Sequence, residues 1–342
     1  MVGSDVSGDS SAAVAEPKAG SDDTTASGWL RRGLLLLVGT VLLVVYLRGL
    51  DYSALLSSAE AFPVALALAV VAINVLPGAI KYLRWRHFLS ARGLGVEGFR
   101  GYLAVNASFF HGLVTPGTAG ELSRAWVSES EEAGRATAVV AFEKLTDLVV
   151  LVLLVAVSAA VQFTGGFRSW AVVGAACLAV VGGYALFLRY DSLLTTPLKF
   201  LLERAVSEDR REALRDAYWE FYELVDNRKL VVLSVVASSA LWLVTLAQMQ
   251  LIVTGLGWEL PLKTTALALF LPYLAGVVSL IPLGLGVFEL MMARVAQVDL
   301  LATAVEGAAI GPLFFRFLVT VPLVLGGYLC HLALTLTRWR DE

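Results

Sequence analysis

Long apolar runs dominate the pattern of this chain and are separated by short polar stretches. An α-helix needs about 20 apolar residues to cross a bilayer. Six runs have about that length, at 33–50, 62–80, 137–162, 169–188, 230–255 and 308–335. The pattern therefore predicts an all-α integral membrane protein with about six full spans.

Two further apolar stretches, about 101–118 and 264–300, are interrupted by Pro and Gly. Irregular backbone at membrane depth is tolerated only where protein or a water-filled cavity surrounds it. The interruptions therefore predict two re-entrant hairpins beside a cavity, although two ordinary kinked hairpins would give a similar pattern. The predicted turn or gating positions are Pro116, Gly117 and Gly120 in "TPGTAGE", and Pro282, Gly284 and Gly286 in "PLGLGVFE".

The basic residues predict the topology, because short loops rich in Lys and Arg stay in the cytoplasm. Such residues precede the first span, follow the second, fill 189–229 and end the chain. Both termini are then cytoplasmic, 101–118 dips in from the cytoplasmic face, and 264–300 dips in from the outer face. This is an inverted-repeat arrangement with broken helices, which is typical of transporters.

Two segments differ from the apolar body, which covers 29–342. Residues 1–28 are acidic and poor in large apolar side chains, which predicts a disordered cytoplasmic tail. The connection 189–229 contains an amphipathic part, for which a structural clamp on the cytoplasmic face is favoured over a partner site. The whole chain is 58% hydrophobic, above the roughly 45–50% of soluble domains.

Charged residues inside apolar segments are candidates for function, because an ionisable group near the bilayer centre costs several kcal/mol. They are Glu121, Arg124, Glu143, Asp147, Glu289 and Arg316. Arg316 cannot deprotonate, so it requires an anion, either Glu289 or Asp147 or a substrate phosphate. Helix capping is an alternative for Glu121 and Glu289. An interfacial salt bridge, with Lys144 reaching the surface, is the alternative for Glu143 and Asp147.

Arg84 lies in "YLRWRHFLSARG", at the end of the second predicted span. We expect it at the level of the lipid headgroups, where it either anchors the helix or recruits an anionic headgroup. No phosphate-binding GxxxxGK[ST] loop, HExxH motif or GxSxG elbow occurs. We therefore expect neither ATP-driven pumping by this chain nor a metal, a cofactor or an enzymatic activity.

Several segments together resemble the transmembrane region of lysylphosphatidylglycerol synthetases. Besides the segment around Arg84, they are "SFFHGLVTPGTAGELSRAWV", "AFEKLTDLVVL" and "SLIPLGLGVFELMMARV", followed by a late intramembrane Arg. The resemblance covers about 30–338, and Glu143-Lys144 stands where the family usually has Glu-Arg. It implies a flippase-like domain, here in a stand-alone form without the aminoacyl transferase domain.

The resemblance implies translocation of an anionic or aminoacylated phospholipid, or a lipid-linked sugar, through a polar cavity in the cell membrane. Arg124 and Arg316 would then engage the phosphate, Glu121, Asp147 and Glu289 would contact cationic or hydroxyl groups or hold those arginines, and Arg84 and Glu143 complete the predicted site. The expected partners are a membrane lipid and possible further copies of the chain or a separate lipid-synthesising enzyme, but no nucleic acid. The alternatives are a secondary transporter of a small soluble solute and a membrane-embedded lipid-modifying enzyme.

Overall fold

The structure is a computed structural model that describes residues 22–95, 98–127, 132–163, 208–297 and 307–341, together with a few single positions between 171 and 182. Every regular element in these ranges is helical, which confirms the all-α prediction. The α-helices are α1 (Asp22–Arg48), α2 (Tyr52–Ala61), α3 (Val64–Ile73), α4 (Val75–Ala91), α5 (Gly98–Val114), α6 (Ala133–Phe163), α7 (Glu208–Asp226), α8 (Arg228–Gly255), α9 (Leu262–Val278), α10 (Val287–Gln297), α11 (Gly311–Phe315) and α12 (Val321–Asp341). A π-helical stretch, Arg316–Thr320, joins α11 to α12, and 3₁₀ turns cover Pro116–Val127, Pro282–Gly284 and Ala308–Ile310.

Within the part of the chain that the structure describes, four helical stretches are long and apolar enough to cross a membrane, and they coincide with four of the six predicted runs. They are Val64–Ala91, Ala133–Gln162, Arg228–Gly255 and Ala308–Thr337. The run predicted at 33–50 belongs to α1, which makes an angle of 82° with α2. These two helices are long and apolar enough to cross a membrane only when they are taken together. The run at 169–188 lies almost wholly outside the described residues. The chain is thus a multi-pass membrane protein.

The structure also corrects two predicted boundaries. The predicted tail 1–28 is too long, because α1 already begins at Asp22, while residues 1–21 lie outside the described ranges. Helix propagation explains the difference, since a formed helix gains one hydrogen bond for each residue added and no Pro interrupts 22–48. The second span does not end at residue 80 but continues to Ala91.

The second span is interrupted at Asn74, between α3 and α4. Pro77 explains the break, because its ring clashes with the carbonyl four residues earlier and it has no N–H to donate. The carbonyl of Val70 is left free by this break and accepts a hydrogen bond from Gln248 Nε2 at 3.1 Å. Gln248 Nε2 also donates to Asn74 Oδ1 at 2.9 Å. A buried polar contact with α8 therefore replaces the missing helical hydrogen bonds.

A second proline leaves a backbone carbonyl of the π-helical stretch free to accept a hydrogen bond from Asn74. Pro322 has no N–H, so the carbonyl of Leu318 has no helical donor four residues later. Asn74 Nδ2 donates to that carbonyl at 2.9 Å. Asn74, at the first proline-induced break, thus donates to the carbonyl left without a donor at the second break. The two residues are 244 positions apart in the sequence.

The first predicted interruption is larger than expected. α5 ends at Val114, and the 3₁₀ segment Pro116–Val127 packs back along it, so the element predicted at 101–118 extends to Val127. Pro116 and Gly117 begin this segment. Gly120 touches the backbone carbonyl of His111 so closely that any side chain would collide with it. The close return of the chain therefore requires glycine at this position.

The second predicted interruption is present as helix, turn and helix. α9 leads into the Pro282–Gly284 turn and α10 leads away from it, although residues 298–300 lie outside the described ranges. The turn has a left-handed backbone at Leu283, Gly284 and Gly286, with φ of 61°, 59° and 75°. The turn also contacts the 3₁₀ segment Pro116–Val127, so the two interruptions meet. Their entry from opposite membrane faces stays a prediction.

α7 forms the amphipathic part of the predicted connection 189–229 and packs against α6. Leu224 is completely buried between these helices. Glu220 is buried too, and it accepts from Arg135 Nε at 2.8 Å and pairs with Arg92 at the end of α4. The contacts join α7 to α4 and α6, in agreement with the predicted structural clamp. Residues 189–207 lie outside the described ranges.

Replacing Gly286 by Ala should destabilise the protein. The added Cβ would lie 2.6 Å from the backbone nitrogen of Leu43 in α1, and the left-handed backbone disfavours any side chain. The clash alone is expected to lower the free energy of unfolding by about 1–3 kcal/mol, measured by unfolding in mixed detergent micelles. Gly326→Ala is the matched control, because nothing lies within 4 Å of its added Cβ. Equal unfolding curves for both variants would contradict the close contact between α1 and the turn.

Candidate functional site

Seven charged side chains meet where α4, α6 and the 3₁₀ segment Pro116–Val127 pack together. They are Lys81, Arg84, Glu121, Arg124, Glu143, Lys144 and Asp147. All seven belong to the amino-terminal half, and α8 adds the hydroxyl of Ser238. We call this group the charged core.

Arg84 is at the centre of the charged core and is only 3% exposed. Its Nε donates to Glu143 Oε1 at 3.0 Å, and its Nη1 and Nη2 donate to the two carboxylate oxygens of Asp147 at 2.8 and 3.2 Å. Nη1 also donates to the Ser238 hydroxyl, which in turn donates to Asp147. The predicted contact of Arg84 with lipid headgroups is therefore not seen, because protein side chains enclose its guanidinium. α4 continues to Ala91, so Arg84 belongs to this helix, and its side chain is buried inside the protein.

Glu143 is shared by two arginines and is completely buried. One carboxylate oxygen accepts from Arg84, and the other accepts from Arg124 Nη2. Arg124 is 1% exposed and lies over the ring of Trp85. Since a buried charge without a partner is expensive, this shared carboxylate ties α4, α6 and the 3₁₀ segment to one another.

Glu121 is shared by two lysines in the same way. Lys81 Nζ lies 2.9 Å from Glu121 Oε2, and Lys144 Nζ contacts Glu121 Oε1. The capping interpretation of Glu121 is therefore wrong, because its carboxylate is used by side chains. Lys144, which the alternative interpretation placed at the membrane surface, contacts Glu121 instead. The sequence predicts Lys81 in the basic loop after the second span. In the structure α4 continues through that predicted loop, and Lys81 therefore lies in the charged core.

The charged core contains four cations and three carboxylates, which leaves one formal positive charge. Both signs are present within a few ångströms of one another. Arg and Lys side chains form strong, short hydrogen bonds to carboxylates and phosphates. The arrangement can therefore bind an anion without losing the neutralisation of its own carboxylates.

Arg316 and Glu289 form a separate pair at the second interruption. Arg316 Nε donates to Glu289 Oε1 at 2.6 Å, so the predicted Glu289 partner is present, while Asp147 is paired with Arg84. Glu289 Oε2 accepts from the backbone N–H of Gly286 at 2.8 Å, in agreement with the capping interpretation. Arg316 Nη2 donates to the carbonyl of Leu283 at 2.8 Å. The pair thus holds the left-handed turn in place.

Two adjoining cavities face these clusters. The first, of about 220 Å³, has a polar floor formed by Lys81, Glu121, Lys144 and Asp147 of the charged core. Its walls are mostly apolar or aromatic and come from α6, α8, α9 and the helix that follows Arg316. The second, of about 80 Å³, lies between the two interruptions and is lined by Arg316. Tyr273, Val277 and Thr320 line both cavities, so the two spaces adjoin. Of the predicted substrate-binding residues, Glu121 and Asp147 line the first cavity and Arg316 lines the second.

Within the described ranges, no group of three or more His, Cys, Asp or Glu side chains has an arrangement that could hold a metal ion. The carboxylates of the charged core are instead engaged by Lys and Arg. Cationic partners of this kind take the place that a metal ion would need.

Comparison with known protein families gives a match over residues 33–339 to the family described as the lysylphosphatidylglycerol synthase TM region. The matched range contains the charged core, both interruptions and the Arg316–Glu289 pair. No curated protein matches the chain.

Replacing Glu143 by Gln should strongly destabilise the fold. Arg84 and Arg124 would both lose the buried carboxylate that they share, and breaking a buried ion pair costs roughly 3–5 kcal/mol. The expected result is a clear loss of stability in a detergent unfolding titration. Glu60→Gln is the control because Glu60 is exposed on α2, and it should unfold like the unmodified protein. Equal stability of the two variants would contradict the bridging role of Glu143.

Proposed function

Because the chain belongs to the lysylphosphatidylglycerol synthase TM region family, we propose that it moves a lipid with a phosphate-bearing headgroup between the two leaflets of the cell membrane. The headgroup passes through the first cavity, and the acyl chains remain in the bilayer. The lipid is an anionic or aminoacylated phospholipid or a lipid-linked sugar.

The first cavity is the single observation that carries this proposal. A lipid crossing the bilayer needs a polar path for its headgroup, while its tails need only an apolar surface. The charged floor and the apolar walls of the cavity match these two needs. Its volume of about 220 Å³ is below the roughly 300–1,000 Å³ of pockets that enclose a drug-sized ligand. The cavity therefore suits a headgroup whose tails stay outside.

The charges on the cavity floor fit both parts of such a headgroup. Lys81 and Lys144 supply ammonium donors for a phosphate. Glu121 and Asp147 supply acceptors for hydroxyl groups or for the ammonium of an aminoacyl group. Arg84 takes no part in this lining but holds Asp147 through its two-pronged contact. The floor is thus prepared before the lipid arrives, which lowers the cost of ordering it.

The second interruption supports a gating role for the adjoining small cavity. Leu280 and Leu283 have positive φ, and a non-glycine residue in this region costs roughly 1–3 kcal/mol. The Arg316–Glu289 pair holds the strained turn through the carbonyl of Leu283. A headgroup phosphate that competes for Arg316 would release this contact and let the turn move.

The ion pairs also bear on the two alternative functions. Each carboxylate of the charged core contacts a cation, which favours a binding role over acid–base catalysis, because a general acid must be able to hold a proton near neutral pH. These contacts support our proposal of a transporter over a lipid-modifying enzyme. A small soluble solute in the same cavity is the remaining alternative, and the experiment below separates it from a lipid.

Filling the first cavity should stop lipid translocation. The full chain is reconstituted in liposomes with fluorescent phosphatidylglycerol, and the fraction of label that an impermeant quencher bleaches is measured. Thr245→Trp fills the cavity from α8 without removing an ion pair, and we expect at least a ten-fold slower exposure of inner-leaflet label. Leu243→Trp is the matched control, because Leu243 lies on the same helix and is 57% exposed towards the outside.

Three results of this assay are informative. Fast translocation by the unmodified chain and by Leu243→Trp, with a slow Thr245→Trp, supports the proposal. Equal rates for both variants contradict passage through the cavity. If no variant exceeds empty liposomes with phosphatidylglycerol, aminoacylated phospholipid or polyprenyl-linked sugar, but a small solute stabilises the purified protein, the soluble-solute alternative replaces the proposal.

The proposed orientation predicts a labelling pattern in cells. Ser57 on α2 and Ser90 at the end of α4 are both exposed, and we place them on the outer and the cytoplasmic side. In a background in which Cys177 and Cys330 are replaced by Ala, an impermeant maleimide should label Ser57→Cys in intact cells. It should label Ser90→Cys only after permeabilisation. The reverse pattern would contradict cytoplasmic termini.

A further inference from the structure

A third cavity lies between α5, the 3₁₀ segment Pro116–Val127 and α12. Its volume is about 360 Å³, and it shares no lining residue with the first cavity. Four of the side chains that line it are cationic or can become so, namely Arg100, His111, Arg124 and His331. No carboxylate occurs among the described residues that line it.

Arg124 connects this cavity to the charged core. Its Nη2 donates to Glu143, while its Nε and Nη1 are buried and have no hydrogen-bond partner in the ranges that the structure describes. Most buried polar side-chain atoms in proteins have a partner. A guanidinium with two nitrogens to spare at the wall of a cavity favours an anion, because its planar fork matches phosphate and carboxylate oxygens.

Two histidines add donors to the same space. The rings of His111 and His331 meet edge to face, with centroids 4.9 Å apart, and His111 Nδ1 lies 2.7 Å from the Ser123 hydroxyl. α5, the 3₁₀ segment and α12 each contribute at least one of these groups. Donors from three separate elements therefore converge on one cavity.

We propose that this cavity is a second anion site, which binds a phosphate group through residues that do not line the first cavity. The cavity is lined by Arg100, near the start of α5, and by the carboxyl-terminal part of α12. In the predicted topology both of these segments lie near the cytoplasmic face. The phosphate belongs either to a lipid headgroup or to a free phosphate ion, since the same donors recognise both. The site goes beyond the proposed function, because it binds whether or not the first cavity translocates a lipid.

The shared carboxylate links the two sites. Glu143 accepts from Arg124 at the third cavity and from Arg84, which holds Asp147 at the floor of the first. An anion on the spare Nε and Nη1 of Arg124 leaves the Nη2 contact in place but offsets part of the positive charge that this guanidinium presents to Glu143. Glu143 then interacts more strongly with Arg84, so occupation of one cavity changes the charges presented to the other.

The test measures binding to the purified full chain in a neutral detergent. Radiolabelled inorganic phosphate is titrated by equilibrium dialysis at constant ionic strength in chloride, and phosphatidylglycerol is compared with phosphatidylcholine by native mass spectrometry. Leu334→Trp fills the third cavity from α12 without removing a charge. Leu336→Trp is its control, because Leu336 lies on the same helix and is 71% exposed. Arg124→Gln is a second variant, used only if it remains folded.

We expect Leu334→Trp to weaken phosphate binding at least ten-fold, and Leu336→Trp to leave it unchanged. Loss of both inorganic phosphate and phosphatidylglycerol identifies the phosphate group itself as the ligand. Loss of phosphatidylglycerol alone identifies a lipid headgroup. Equal binding of both probes to Leu334→Trp and Leu336→Trp, or no saturable binding to the unmodified chain, overturns the proposal. Failure of the liposome assay with intact phosphate binding would overturn only the proposed translocation.

Discussion

Burial of charge is the constraint on which the rest of this structure depends. Five charged side chains of the charged core are buried and two are partly buried, and among apolar helices each would cost several kcal/mol without a partner. Neutralisation is possible only if α4, α6 and the 3₁₀ segment lie where Glu121 and Glu143 can each meet two cations. The charges thus determine how an amino-terminal half of generic apolar helices packs. Four of these groups, Lys81, Glu121, Lys144 and Asp147, also form the floor of the first cavity, so one arrangement serves stability and binding.

The carbonyls and N–H groups of the broken helices impose a second constraint. Each proline removes a donor, and in an apolar environment the acceptor that it strands needs another partner. The structure supplies a side chain for this purpose where Asn74 donates to the carbonyl of Leu318, and Arg316 likewise donates to the carbonyl of Leu283 in the left-handed turn. The contact of Arg316 lies at the second interruption, which meets the first. Broken helices therefore bring polar groups, and with them a path for a headgroup, to a depth that intact helices would leave apolar.

Much of this could be predicted from the sequence, and the failures share a cause. Apolar runs predicted the helices, and Pro and Gly predicted both interruptions, because these signals are local. Arg84 and Lys81 were misplaced because a basic run normally marks a loop, whereas here α4 continues through it into the protein. The partners of Glu143 come from residues 19 and 59 positions away. The local pattern of a single sequence does not indicate which distant residues will pair.

Photo-cross-linking with a lipid that carries a photoreactive headgroup tests the central claim most directly. The full chain in liposomes is irradiated, and the adducts are mapped by mass spectrometry. The account predicts headgroup adducts on lining residues of the first cavity such as Leu241 and Thr245, which a lipid with a photoreactive acyl tail should not give. Headgroup adducts confined to outward-facing positions such as Leu243 would show that the headgroup stays outside the protein, and would contradict the account.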